Sequence, residues 1–137
     1  MNDFMPSIKV TLYLGADEVD LDVVTQRLGI VPTETRTKDS FPLQSIITGF
    51  AKNIWSIGII EENCIAVSIP FERMLEILKG KEAQINGLRN EYGFDASFVV
   101  VIHMKDGDSP EVVLPREVIT FTAAIDAEIG FDLYCYE

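Results

Sequence analysis

An α+β fold, one antiparallel or mixed sheet with helices packed on one face, is predicted from three observations. Apolar and polar residues alternate near both ends of the chain, the period of half-buried strands. Between them lie stretches with helical spacing that stop at glycines. The length of 137 residues suits one domain, so residues 1–137 are read as a single unit. A hydrophobic fraction of 47% is that of a packed core rather than a disordered chain.

The elements follow in order. In residues 8–14, Ile8, Val10, Leu12 and Leu14 share one face, and Lys9, Thr11 and Tyr13 the other. A helix is expected over residues 17–28, with Leu21, Val24 and Leu28 inward and Asp17, Glu18, Asp20 and Asp22 at the positive end of its dipole. Gly29 and Pro32 stop it. Residues 31–52 show no period and read as a polar loop. Strands are expected over residues 53–60 and 64–69, joined by a turn at residues 61–63 into a hairpin. Pro70 can open a helix carrying Phe71, Met74, Leu75 and Leu78 on one face. After a break at Gly80, a second helical piece carries Ile85, Leu88 and Tyr92 and ends at Gly93. Residues 96–104 are the most β-like run, and residues 105–110 a loop. A last helix is expected over residues 115–127. Residues 129–136 then alternate, Ile129, Phe131, Leu133 and Cys135 against Asp132, Tyr134 and Tyr136. The order β-α-β-β-α-β-α-β is a ferredoxin-like βαββαβ core followed by a C-terminal αβ unit.

Charge and composition exclude several function classes. Eleven Lys and Arg against 22 Asp and Glu leave a net charge of −11. Nucleic acid and anionic membrane surfaces both require a basic footprint, so neither is expected as a partner. The opening residues show no basic stretch followed by an apolar one, so no secretory signal is read there. The strongly apolar run 98–102 is far shorter than the roughly 20 residues that span a bilayer. Cys64 and Cys135 are too few for a disulfide scaffold and read as two buried thiols in a cytoplasmic protein.

The run Leu28-Gly29-Ile30-Val31-Pro32-Thr33, followed by Trp55 and the closing Asp132-Leu133-Tyr134, resembles the bacterial domain-of-unknown-function family 4279 over nearly the whole chain. The resemblance implies a small bacterial cytoplasmic domain and brings no activity with it. Lys38-Asp39-Ser40 departs from the family pattern, which has a glycine after the lysine.

No catalytic motif stands out, and whether the chain is an enzyme stays open, with a non-enzymatic role favoured. His103 is the one histidine and lies on a strand. There is no GxSxG elbow, CxxC pair or HExxH helix, so no metal and no cofactor are expected. Asp106-Gly107-Asp108 lacks the ligand ladder of a calcium loop and is explained by turn chemistry.

Two surfaces remain. Tyr13, Asp132, Tyr134 and Tyr136 fall on the side of their strands away from the core, where tyrosines supply rigid contact area with polar tips. Residues 33–52 carry Arg36, Lys38 and Lys52 against Glu34 and Asp39, a net +1 in an acidic protein. Thr33, Arg36, Lys38 and Trp55 would there bind a small anion. The favoured reading is a protein-binding module, immunity-like in size and acidity. The alternatives are a small-ligand or enzymatic domain using the 33–52 segment, and a domain that self-associates, as a homodimer, through its sheet. Eight acids against Arg116 put −7 into residues 106–137, enough to steer a basic partner if they share one surface.

Overall fold

The computed structural model describes residues 6–137. The chain forms β1 (Ser7–Ala16), α1 (Leu21–Leu28), β2 (Glu34–Arg36), a 3₁₀ turn (Lys38–Ser40), α2 (Leu43–Ile47) and β3 (Asn53–Glu61). It continues with α3 (Ser68–Leu78), α4 (Glu82–Tyr92), β4 (Asp95–Lys105), α5 (Arg116–Ala124) and β5 (Glu128–Tyr136). The strands make one five-stranded sheet in the order β2-β3-β1-β4-β5. All neighbours are antiparallel except β4 and β5, which run parallel. β3 therefore lies between β1 and β2, and β1 between β3 and β4. These are the two interleaved split βαβ units of the expected ferredoxin-like core, with α5 and β5 added as the C-terminal αβ unit.

The core sits between the sheet and the helices. Ile8, Val10, Leu12, Leu14 and Ala16 on β1 are buried, in register with Ile59, Ile57 and Trp55 on one side and Ile102, Val100, Phe98 and Ala96 on the other. Val24, Leu28, Phe71, Met74, Leu78, Ile85, Leu88 and Val118 close over them from the helices. Phe71 meets Phe98 edge to face, with ring centroids 5.4 Å apart. Trp55 is fully buried, and its indole Nε1 donates to Thr25 Oγ1 at 3.0 Å.

Four details differ from the sequence reading. First, α1 begins at Leu21, because Asp20 caps it by accepting from the Asp22 amide at 3.0 Å. Asp17 and Glu18 lie before it and pair with Lys52 and Lys38. Gly29 ends the helix in the left-handed region (φ 66°) and donates to Thr25 O, as expected. Second, residues 64–69 are not a strand, and no hairpin forms at residues 61–63. The Cys64 amide donates to Pro6 O, Ala66 makes a single bridge to Glu111, and α3 starts at Ser68. A short apolar run does not reveal its own period. Val67, Pro70, Phe71, Met74 and Leu78, all buried, follow helical spacing.

Third, the strand that completes the core lies earlier, in the segment read as a loop. β2 has only three residues, and α2 five, too few to show a period. Fourth, the last helix is shorter than residues 115–127: Pro115 precedes it, and it closes at Ala124.

Trp55→Ala should destabilise the protein by about 3–5 kcal/mol, read by denaturant unfolding, because it empties a fully buried aromatic site. Native tryptophan emission should be blue-shifted and move red in urea. An emission already at the water maximum would contradict the packing.

Candidate functional site

β5 is the place where the structure leaves most unfinished. Eight of its nine residues are exposed and the remaining one, Ile129, is half-buried. Strands normally bury at least one face, and β4 beside it buries alternate residues from Ala96 to Met104. On the helix side of β5, Phe131, Leu133 and Cys135 align with buried Val100, Ile102 and Met104, yet they lie beyond the cover of the helices. Phe131 is 41% exposed and Leu133 59%. Cys135 is therefore an exposed thiol, which corrects its assignment to the core; Cys64 is buried as expected.

The other face of β5 carries an aromatic stack. His103 on β4 is in register with Tyr134 and nearly parallel to it, with centroids 4.9 Å apart and an interplanar angle of 13°. Tyr136 stacks on the same imidazole at 5.8 Å, and its hydroxyl lies 2.9 Å from His103 Nδ1. The Tyr134 hydroxyl donates to Asp132 Oδ2 at 3.0 Å. That bond to a carboxylate, with the negative charge beside it, holds the Tyr134 pKa above the usual tyrosine value. Asp132, Tyr134 and Tyr136 thus form one cluster, with His103 as its fourth member. Alternation placed His103 on this face, but nothing in the sequence showed that β5 would pair parallel to β4 in this register.

Tyr13 does not join them. It is level with Ser97, and Ser97 with Glu128, so it lies six residues along the sheet from Tyr134, roughly 20 Å at strand rise. It lines instead a recess of about 160 Å³ with Glu34, Arg36, Ile54 and Ser56.

The four residues expected to hold an anion have other engagements. Thr33 Oγ1 accepts from the Gly58 amide at 2.9 Å, which extends the β2–β3 ladder by one bond. The Arg36 guanidinium stacks over Phe41 at 3.6 Å and donates to Ser40 Oγ at 3.1 Å. Lys38 Nζ pairs with Glu18 at 3.5 Å. Trp55 faces the core, so it does not meet the other three at the surface. The same segment exposes Leu43 and Ile47 on α2, and Phe50 just after it, at 70–80%.

The C-terminal acids fall at both ends of β5. Asp106, Asp108 and Glu137 gather near the end of β5, where the Asp106 amide donates to Tyr136 O. Asp126 and Glu128 stand at its start. Nine residues of strand put about 27 Å between the two groups, well beyond a screening length of roughly 8–10 Å. A cleft of about 830 Å³ between α3 and α5 is floored by Leu75, Val118 and Phe121 and edged by Glu72, Glu76, Lys79 and Arg116. Among the described residues, no group of three or more His, Cys, Asp or Glu side chains is placed to hold a metal ion, and no helix is long and apolar enough to cross a membrane.

Fold and surface define an α+β domain with a split βαβ core and a long C-terminal edge strand that the other described elements leave uncovered. The chain belongs to the family described as a domain of unknown function, DUF4279, which it matches over residues 6–136. No curated protein and no solved structure matches it.

Two measurements check this surface. In dilute native protein, Cys135 should react rapidly with a thiol reagent and Cys64 only on unfolding. Two fast thiols, or none, would contradict the placement. Asp132→Asn removes the charged acceptor, so one tyrosine should ionise at lower pH than in the parent, followed by phenolate absorbance. An unchanged titration would show that the Tyr134–Asp132 bond is not formed.

Proposed function

We propose that the protein is a non-enzymatic protein-contact module and that β5 is the strand through which it binds. The observation that carries this reading is the exposure of β5 on both faces together with a backbone edge that no described residue pairs. Aromatic and large aliphatic side chains with few charges are the composition of an interface centre. β5 offers Phe131, Leu133, Tyr134 and Tyr136 around one interior charge, Asp132. An open edge adds main-chain hydrogen bonds, as in strand-addition complexes.

The acids' separation along β5 weakens the narrower idea of a toxin-neutralising protein steered by a single negative field. Contact through β5 does not depend on that field. Nor do Arg36 and Lys38, held by Phe41 and Glu18, favour an anion site.

A photo-activatable residue at position 133 tests the reading in cells. It should yield covalent adducts with protein, either another copy or a different chain. A control at Val31, which is 83% exposed but far from β5 in the chain, should yield far fewer. Equal yields at both positions, or none at 133, would remove β5 as the contact strand.

A further inference from the structure

The two edges of the sheet are built differently. β2, at one edge, is three residues long and reads Glu-Thr-Arg, a short and charged strand of the kind that discourages edge pairing. β5, at the other, has nine residues, no proline, no lysine and no bulge-forming positive φ. Its backbone is also poised to pair. Tyr136 O accepts from the Asp106 amide, so Tyr136 turns its peptide groups toward β4. Parallel pairing alternates strictly, so Ile129, Phe131, Leu133 and Cys135 direct their N–H and C=O groups away from the sheet. No described residue pairs with them.

Resting on β5 as the contact strand, we propose that its occupant is β5 of a second copy, paired antiparallel about a two-fold axis at Leu133. Register decides between the possible two-folds. An axis at Asp132 sets Asp132 against its own copy in a close, non-hydrogen-bonded pair, where like charges repel. An axis at Phe131 leaves the exposed Cys135 and Tyr136 without partners inside the strand, opposite Ala127 and Asp126, where the positive φ of Asp126 (53°) has already turned the chain, and an axis at Tyr134 leaves residues 128–131 without them. The axis at Leu133 pairs residues 130–136 and leaves over only the charged Glu128 and Ile129, which is already half-buried and lies opposite Glu137. It sets Asp132 opposite Tyr134 of the other copy, carboxylate against phenol. It sets Phe131 opposite Cys135 and Leu133 opposite itself. These last are the residues whose amides and carbonyls point outward, so the hydrogen-bonded positions of the new ladder coincide with the free ones of the old.

On the helix side the pairing joins the Phe131, Leu133 and Cys135 strips of both chains into one apolar seam. On the other side it brings the two His103–Tyr134–Tyr136 stacks together near the middle of a ten-stranded sheet. An isologous contact of this kind uses up both edges and closes at two copies. A strand contributed by a different protein would leave the edge bare whenever that protein was absent, and bare apolar edges aggregate. The charge of −11 on each copy opposes association at low salt, so dimerisation should strengthen as salt is added.

Sedimentation of the full chain between micromolar and several hundred micromolar should give a mass of twice 15.3 kDa at the upper end. Leu133→Lys places two ammonium groups face to face and should raise the dissociation constant by more than about tenfold. Its folded circular dichroism should be unchanged, because the side chain is already exposed. Two cysteine variants test the register. Leu133→Cys with Cys135→Ser should oxidise to a covalent dimer, since the opposed Cα atoms stand about 5.5 Å apart. Phe131→Cys with Cys135→Ser should not, since its two thiols are offset by four residues, about 13 Å.

A chain that stays monomeric, a dimer indifferent to Leu133→Lys, or equal oxidation of the two cysteine variants would each overturn the proposal. Adducts to a different protein at position 133 from a monomeric chain would overturn it while leaving β5 as the contact strand. Absence of adducts from a monomeric chain would remove both.

Discussion

The alternation of β1 is the constraint on which the other elements depend. Ile8, Val10, Leu12, Leu14 and Ala16 are buried, and the first four each lie in a cross-strand row whose members on β3 and β4 face the same way. β1 is the central strand of the order β2-β3-β1-β4-β5, with an antiparallel neighbour on both sides. A slip of one residue against either neighbour would turn a whole row from the core to the open face. The cost would be several apolar side chains at about 1.5–3 kcal/mol each, comparable with the entire stability of a small domain. β1 therefore sets which face of the sheet is dry. Through β4 it also sets that Phe131 and Leu133 extend the dry face, while Tyr134 and Tyr136 extend the wet one.

Much of this was legible in the sequence, and the part that was not shares one cause. Where a period runs for seven residues or more, as in β1, β4 and α4, the element is where the spacing puts it. Alternation also identified β5 and sorted its two faces correctly. The errors fall on short segments. Residues 64–69 contain apolar residues that suit a strand or a helix start, and only the packing of Val67, Pro70 and Phe71 under the sheet decides for α3. β2, with three residues, carries no pattern at all. Its place is set by non-local bonds, among them Thr33 with Ser56 and Gly58. The ferredoxin-like order was nevertheless reached because one strand was missed and another added on the two sides of β3.

The site was legible in composition but not in assembly. Tyr134, Tyr136 and Asp132 were read as one face because they alternate on one strand. Tyr13 was grouped with them because it shares that face, although it stands at the other end of the sheet. The sequence marks His103 only as a lone histidine on a strand, yet it is the ring on which both C-terminal tyrosines stack. Distances along and across a sheet depend on the register of a parallel pair, and no local signal encodes that register. The exposure of Cys135 has the same origin. Its alternation matches the core-facing set, and only the reach of the helices shows that the core stops one strand short.

That shortfall is what separates β5 from the rest of the fold. A parallel αβ addition normally brings a helix to cover the new strand. Here α5 is nine residues long, about 14 Å at helical rise, and sends Val118 and Thr122 inward. Phe121 lies toward Phe98 on β4, with centroids 6.5 Å apart. The helix thus completes the cover of β4 and leaves β5 as a platform. Lengthening α5 or placing lysines on β5 would have blunted the edge at little cost, as the charged three-residue β2 shows on the opposite side. Natural sheets manage their edges because an unmanaged one recruits other chains. An edge protected on one side and left long, apolar and aromatic on the other is the feature from which the proposed contact is argued. The proposed contact rests on this asymmetry within one sheet rather than on the acidity of the chain.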